Sequence, residues 1–541
     1  MPQLKKLLKR LERLNAIGIA LSAERDAPRL LEMILLGAKE ITGADGGTLY
    51  TVTDDRTLRF EIMRTDSLGI ALGGTTGKEV PFAPLPLYAE DGSPNTNMVA
   101  AYSVLHDCTV NIEDAYVAEG FDFSGTRKFD EKTGYRSKSF LTIPMKNHEN
   151  EIIGVLQLLN ALDEESGDII AFSTENRQLV ESLASQAAVA LTNHNLIQGL
   201  QQLFESFIEL IAEAIDEKSP YTGGHCRRVP ELSMLLAQAA NACAEGPLRD
   251  FRMSDKELYE MRIASWLHDC GKVTTPESVV DKATKLSTIF DRIELVDQRF
   301  ELLKKQKETE MLRRQVEAVL SGDTARLASL ESEFQSLRQQ LDEDREFLRN
   351  ANIGGEFMTP EHQERVRSIA VYPLLDPDGQ PVPFLSENEV YNLNIARGTL
   401  TAEEREIINN HIVVTINMLE SLPYPKDLQR VPEYAGGHHE RMDGKGYPRG
   451  LTREQMSIPA RIMGIADIFE ALTARDRPYK KAKTLSESLF ILGKMKLDNH
   501  VDPDLFDIFI RQKVYLEYAR QFLEPEQIDT VDESKIPGYV P

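Results

Sequence analysis

Cysteine, positive charge and long apolar runs are all scarce in this sequence, and each scarcity removes a class of protein. Four cysteines in 541 residues, Cys108, Cys226, Cys243 and Cys270, show neither CxxC spacing nor the density of a disulfide framework, so the expected compartment is the reducing cytoplasm. No apolar run approaches the roughly 18 residues of a membrane span and no signal peptide opens the sequence, so no transmembrane segment is expected. Lysine and arginine number 62 against 86 acidic residues, and the net charge of −24 repels polyanions. Duplex nucleic acid is therefore not an expected partner, although a local basic site can still hold a small dinucleotide. Tryptophan occurs once, at Trp266, two positions before His268; a helix there would turn indole and imidazole to opposite sides. What remains, 41% apolar and 27% charged residues, is the composition of a globular chain of roughly three or four domains.

The chemistry is concentrated in histidines and carboxylates. Ala264 to Lys272 reads Ala-Ser-Trp-Leu-His-Asp-Cys-Gly-Lys and sets His268 beside Asp269 at the end of a helix that Ser254 and Glu257 open as a capping box. Leu258, Met261 and Ser265 make a row that His268 continues, so the imidazole points inward. A lone inward histidine is more often a hydrogen-bonded core residue than a ligand, and its companions decide. His411 lies on the row Ile407, Val414, Met418, in a helix opened by Thr401 and Glu404. His438 and His439 follow as a pair, and successive helical side chains diverge by about 100°, enough for each to serve a different neighbouring metal. Asp467 sits inside the apolar-periodic helix Ile458 to Leu472, where a carboxylate is costly unless paired or metal-bound. His225 heads the row Val229, Leu232, Leu236. Nitrogen and carboxylate donors without cysteine favour iron, manganese or zinc over copper(I). The set is too large for one ion; two ions about 3.5 to 4 Å apart can share Asp269 and activate a water for attack on phosphorus, which is phosphodiester hydrolysis.

Residues 205 to 515 resemble the HD-GYP family of bacterial phosphodiesterases. The resemblance rests on Tyr-Thr-Gly-Gly-His-Cys-Arg-Arg-Val at 221 to 229, the His-Asp-x-Gly-Lys ending at Lys272, and Lys282 and Lys285 before Leu286. It continues through His438-His439-Glu440, the Asp-Gly-x-Gly-Tyr-Pro of 443 to 448, Asp467, and the Arg-Pro-Tyr-Lys of 477 to 480. It implies an all-α domain that hydrolyses cyclic di-GMP to linear pGpG, and in some members on to GMP. The implied cofactor is two divalent ions per chain, iron or manganese, on His225, His268, Asp269, His411, His438, His439 and Asp467. Asp269 and Lys272 would be catalytic, Lys272 by the phosphate or leaving group. Arg477 and Lys480 would hold a substrate phosphate, and Tyr447, in a loop stiffened by Gly446 and Pro448, would approach a guanine. Another cyclic dinucleotide such as cyclic GMP-AMP, or a catalytically quiet signalling scaffold, stays open beside this reading. Three departures stand out. Tyr221 occupies the place where some members carry a glutamate for a third metal, which leaves two. Pro230 suggests a helix that starts late and leaves His225 in a preceding turn. The interval from Asp269 to His411 is far longer than the family's.

The expected chain is multidomain: an α+β GAF sensor domain, a long connecting helix, and an all-α HD-GYP domain carrying a helical-hairpin insertion. Residues 1–14 interleave Lys5, Lys6, Lys9, Arg10 and Arg13 with leucines, as a dimer-forming lead helix or a membrane-surface one. Residues 15–195 alternate helix, strands and helix, with strands at Gly47 to Thr53, Ser139 to Met145 and Ile152 to Leu159 around an Asn-His-Glu-Asn turn. Phe129 to Asn160 resembles cyclic-nucleotide-binding GAF domains, keeping Thr133, Gly134, Tyr135, Arg136, Gly154, Gln157 and Asn160, although Arg127 replaces the signature asparagine. This implies a small ligand, a cyclic nucleotide or another, at Lys128, Phe129 and Asp130; a purely structural or dimerising module is the alternative. Residues 178–215 form one helix with near-heptad spacing, either a homodimer seam or a two-state element. The catalytic domain falls at 205–286 and 399–520, with a C-terminal tail at 521–541. Between its halves, 287–398 carries the rows Ile289, Ile293, Val296, Phe300, Leu303 and Leu327, Leu330, Phe334, Leu337, Leu341 about Ser321-Gly322-Asp323, as two antiparallel helices. The rest of it, 352–398, with Asp376-Pro377-Asp378-Gly379 between short strands, reads as a lid, a brace or a decoration without catalytic part.

Overall fold

The computed structural model describes residues 2–540 except 219–223, 356, 377 and 476–481, and only the backbone of 2–7. Arg477 and Lys480, and the position of Tyr221, lie outside the described residues. Two compact units divide the chain, Met1–Phe204 and Glu205–Pro541.

In the first unit, strands β1 (Ala44–Val52), β2 (Thr57–Thr65), β3 (Ile70–Gly73), β4 (Leu85–Pro86), β5 (Val110–Ile112), β6 (Phe140–Lys146), β7 (Ile152–Leu162) and β8 (Ile169–Ile170) make one antiparallel sheet. Its main path is β3-β2-β1-β7-β6-β5. Leu49 pairs with Leu156 and Tyr50 with Val155, and the period of two sends these adjacent pairs to opposite faces. Leu49 and Leu156 meet helices α1 (Pro2–Ala23), α2 (Ala27–Thr42) and the start of α5 (Thr174–Lys218) through Leu21, Ile34 and Leu183. Tyr50 and Val155 meet α3 (Val99–Leu105), while Phe123, just before α4 (Ser124–Thr133), packs on Phe140. Local chemistry sets α2: Asp26 caps its first turn by accepting from Arg29, and Gly43, at φ +69°, ends it.

One expectation changes here. The lead helix does not stop at 14; it runs to Ala23, and Leu14, Ile17 and Leu21 are embedded in the core on α2, so its second half belongs to the sensor unit. The long helix buries one side of its first half, through Leu179, Val180, Leu183 and Ala187, while Leu196, Leu200, Leu203, Phe207 and Leu210 are exposed on it. Among the described residues, no helix is long and apolar enough to cross a membrane.

The second unit is helical: α6 (His225–Asn241), α7 (Asp255–Leu267), α8 (Glu277–Val280), α9 (Ile293–Leu320), α10 (Arg326–Ile353), α11 (Pro360–Ala370), α12 (Glu387–Leu393), α13 (Ala402–Asn409) and α14 (His411–Glu420). It ends with α15 (Val431–Gly436), α16 (Ile458–Thr473), α17 (Leu485–Leu497), α18 (Pro503–Arg511) and α19 (Val514–Phe522). Helices α9 and α10 are the expected antiparallel hairpin, turning at Gly322 (φ +78°) and joined by Lys304 to Asp342 and Arg345 to Glu301. Val296, Phe300 and Leu303 pack against Leu341 and Leu348, and the same core takes in α11, α12 and the short pair β9 (Leu374–Leu375) and β10 (Pro381–Val382). Ile289 is not part of that row; it precedes α9 in a loop and is fully exposed. Lys282 donates to Asn392 and pairs with Glu404, and Lys285 donates to the carbonyls of Leu393 and Ile395, so the insertion's two ends are stitched together. That closure lets a long segment leave and re-enter the helical core at one place.

Candidate metal centre

Five pieces of backbone converge on the centre. Helix α6 begins with His225; Pro230 lies inside it, so the late start expected from the proline is not what forms, and the helix gives up one internal hydrogen bond instead. His268 closes α7, where Met261 and Ser265 share its buried side, and Asp269 opens the 3-10 turn Cys270–Thr274. His411 is the first residue of α14, separated by Asn410 from the helix that Thr401 and Glu404 cap; the expected row fails on either side of it, since Ile407 and Met418 are exposed while Ile412, Thr415 and Leu419 are buried. His438 and His439 sit in the turn after α15, and Asp467 lies mid-way along α16. A glycine is required at 271, because a Cβ there would stand 2.0 Å from the His411 carbonyl oxygen and 2.6 Å from the Thr415 nitrogen. The 3-10 turn thus lies directly on the backbone of α14 and brings Asp269 to His411.

The donor atoms fall into two groups, His225, His268 and Asp467 in one and Asp269, His411, His438 and His439 in the other, each within 4.8 Å. Asp269 stands between them. Its Oδ2 is 3.2 Å from His225 Nε2 and 3.4 Å from His268 Nε2, and its Oδ1 is 3.2 Å from His411 Nε2. His225 Nε2 is 3.3 Å from both His268 Nε2 and Asp467 Oδ1, and His411 Nε2 is 3.2 Å from His439 Nε2. Donors about 2.1 Å from one ion stand about 3.0 to 3.4 Å apart at right or tetrahedral angles, which these separations match. Asp269 Oδ1 and His438 Nε2 are buried without a hydrogen-bond partner among the described residues. Such atoms are costly unless a cation meets them, so the residues present fit a metal pair. His438 and His439 belong to one group rather than one to each, because they stand in a turn, where the helical divergence does not apply.

The far nitrogen of four rings is occupied. Nδ1 of His268, His411 and His438 points to the carbonyls of Ser265, Ile408 and Ala435, and Nδ1 of His225 to Glu470 Oε2. Donation from Nδ1 leaves each Nε2 turned toward the cluster with its lone pair. Glu470 is the residue that sequence reasoning missed. It is buried between His225 and Arg228 Nε (2.7 Å). Its signal was there: a second carboxylate on the same apolar helix, one turn after Asp467. Burial pushes His268 down, His438 to about 4, and His439 well below the ordinary value, keeping these rings neutral, the form that binds metal. For His225 burial is outweighed by the carboxylates of Glu470, Asp269 and Asp467, and its pKa is raised. Asp269 is held low against burial by Lys272 and His268; Lys272 Nζ is 2.6 Å from Asp269 Oδ2 and raised in turn.

Tyr447 stands at the rim, its ring stacked on His439 at 4.8 Å between centroids, and burial pushes its phenol up to about 12. Its loop is held by buried Glu440, which accepts from the backbone of Arg449 (2.7 Å) and Leu451 (2.9 Å). Trp266 lines a small cleft with Ile208, Tyr259 and Ile263 rather than the histidines, as the helical spacing requires. In the sensor unit the expected ligand residues do not converge. Asp130 is buried and accepts from the Tyr116 hydroxyl and from the Ser137 backbone and hydroxyl, so it braces a loop, while Lys128 is exposed and Phe129 half-buried. Successive positions on α4 diverge by about 100°, and here that turns Asp130 inward and leaves Lys128 exposed.

A family model described as GAF domain matches residues 26–191, and one described as HD domain matches residues 387–505, which include His411, His438, His439 and Asp467 but not His225 or Asp269. The chain is similar to the 3'3'-cGAMP-specific phosphodiesterase 1 of Vibrio cholerae, at 44% identity over 81 residues, 15% of this chain and 19% of the relative. It is similar to the cyclic di-GMP phosphodiesterase of Thermotoga maritima, at 44% over 91 residues, 17% and 24% of the two chains. The 3'3'-cGAMP-specific phosphodiesterase 3 of Vibrio cholerae shares 38% over 109 residues, 20% and 23%. The matches thus span about a fifth to a quarter of these relatives' lengths. Among solved structures, the GAF domain of an Acinetobacter phosphoenolpyruvate-protein phosphotransferase aligns at TM-score 0.26 and 14% identity over 35% of this chain and 98% of that one.

Proposed function

We infer that this chain, which joins a GAF domain to an HD domain, is a metal-dependent phosphodiesterase that hydrolyses a cyclic dinucleotide. The observation that carries this reading is the Asp269 carboxylate, whose two oxygens face separate groups of donors. His225, His268 and Asp467 would hold one divalent ion, His411, His438 and His439 the other, and Asp269 both. When bound, such a pair supplies Lewis acidity toward phosphoryl oxygens and an activated water as nucleophile; iron or manganese suits the imidazole and carboxylate donors. Lys272, beside Asp269, offers an ammonium to a phosphate or leaving-group oxygen at the rim. Tyr447, stacked on His439, presents an aromatic face to a base. Arg477 and Lys480 remain proposed phosphate holders on the strength of the sequence resemblance.

The proposed substrate is cyclic di-GMP, cut to linear pGpG, with the second cut to GMP left open. Two relatives named as specific for 3'3'-cGAMP favour cyclic GMP-AMP as the second reading. The GAF domain is proposed to regulate the reaction through a small ligand. The exposed stripe Leu196, Leu200, Leu203, Phe207, Leu210 steps by four and three, the spacing at which two copies of α5 would pair as a homodimer. The test is hydrolysis by the full chain, loaded anaerobically with manganese, against cyclic di-GMP, 3'3'-cGAMP and cyclic di-AMP. The wild type should cleave at least one of them. Asp269→Asn, still folded, should lose about 100- to 1,000-fold or more in kcat. A wild type that binds two metals and cleaves none is the signalling scaffold instead.

A further inference from the structure

The last turn of α5 makes contacts on both sides of the metal centre that none of the roles above uses. Asp216 is a buried carboxylate whose Oδ2 accepts from the backbone N–H of Gly224 at 3.0 Å and of Cys226 at 3.3 Å, the residues immediately before and after His225. The first turn of any helix leaves its N–H groups without partners, and Gly224, the residue that caps α6, has no side chain to serve them. Asp216 supplies from another helix what a capping side chain would supply from within. Its negative charge is also favourable at the positive end of α6. Two residues later in α5, Lys218 Nζ donates to the carbonyl oxygens of Lys272 (3.2 Å) and Thr275 (2.7 Å), and also to that of Val273. These carbonyls end the 3-10 turn that begins beside Asp269, where a cation completes the unpaired acceptors.

We propose that Asp216 and Lys218 are positioning residues, a clamp at the end of α5 that sets where His225 stands relative to Asp269 and Lys272. The proposal rests on the phosphodiesterase reading for its catalytic part only. Neither side chain touches a donor atom; each holds the backbone that carries one. A rotation or an axial shift of α5 reaches His225 through Asp216 and the bridging carboxylate through Lys218. Because His225 belongs to one group of donors and Asp269 lies between the two, the clamp governs the spacing of the groups.

The experiment uses the full chain with Asp216→Ala, Asp216→Asn, Lys218→Met and Lys218→Arg. Each is assayed for manganese binding by anaerobic equilibrium dialysis, for melting temperature, and for kcat and KM on cyclic di-GMP. Asp216→Ala should weaken one of two manganese sites about 10- to 100-fold, with Asp216→Asn between it and wild type because an amide oxygen still accepts from N–H. Lys218→Met should lower kcat by about 10- to 100-fold at saturating manganese while KM stays within about twofold, and Lys218→Arg should restore most of it. Wild-type manganese affinity in Asp216→Ala together with wild-type kcat in Lys218→Met overturns the proposal. So does a loss in all four variants that simply follows their melting temperatures. If Asp216→Ala does not fold, the asparagine variant decides: weakened manganese binding supports the clamp and unchanged binding overturns it. Should the wild type cleave no cyclic dinucleotide, the functional reading fails while the manganese arm still decides the clamp.

Discussion

Replacing Glu470 by glutamine removes one charge from the centre and changes little else. In the structure one carboxylate oxygen accepts from His225 Nδ1 at 2.5 Å and the other from Arg228 Nε at 2.7 Å. Burial works against its ionisation, but His225 and Arg228 hold the carboxyl down to about 2, so it is charged at any working pH. Glutamine has one acceptor oxygen for these two donors. Turned toward Arg228, that oxygen leaves an amide N–H facing Nδ1, which drives the ring proton to Nε2 and removes the lone pair that faces His268 and Asp467. Turned toward His225, it sets N–H against N–H beside Arg228 in a buried site. Either arrangement weakens His225 as a ligand. Outer partners of ligating histidines are worth about 10- to 100-fold in affinity, or about 1.4 to 2.7 kcal/mol. Anaerobic equilibrium dialysis against manganese should therefore resolve one weakened and one unchanged site, because the Nδ1 partners of His411 and His438 are backbone carbonyls far along the chain from Glu470. Circular dichroism melting checks that the variant is folded. A folded Glu470→Gln chain with both sites at wild-type affinity would refute the reasoning.

Two further outcomes are expected. Gly271→Ala must push the 3-10 turn off α14, since the new Cβ would lie 2.0 Å from a backbone oxygen; a loss of about 3 kcal/mol or more in urea unfolding, with the Asp269 to His411 approach broken, is expected, and wild-type stability would contradict the contact. Lys285 is buried with carbonyl partners, and burial pushes its ammonium down to about 8 from the ordinary 10.5. Below that value the folded chain carries the whole cost of a buried charge. Between the two values the folded state has shed a proton that the unfolded chain keeps, so stability rises with pH. Wild type should gain on Lys285→Met by about 1.4 kcal/mol per pH unit across that window, up to about 3 kcal/mol in all, in denaturant midpoints taken from pH 7.5 to 10. A difference that stays flat with pH would mean that Lys285 is not paying this desolvation cost.

The sequence by itself determined whatever depends on neighbours in the chain. The capping boxes at Ser254 with Glu257 and at Thr401 with Glu404 form as their spacing requires, because both partners lie within one helical turn. The inward side of α7, the helix around Asp467, the α9–α10 hairpin and the strands around Asn147 to Asn150 follow from periodicity and turn chemistry in the same way. The motif at 268 to 272 and the histidines beyond it were recognisable as metal chemistry because so many ligand types seldom share apolar helices without a reason. Tertiary structure alone decided how they group. His438 and His439 fall on the same side of Asp269 because α15 ends before them. His225 begins α6 in spite of Pro230, held there by Glu470 and by a carboxylate from α5. Asp130, which a motif would assign to a ligand, is consumed by Tyr116 and Ser137. Lys285 is deep only because the insertion's far end closes over it. In each case the deciding partner is distant in sequence, and a side chain's distance from such a partner is set by how helices cross and how closely their backbones approach, which no local pattern of residues records.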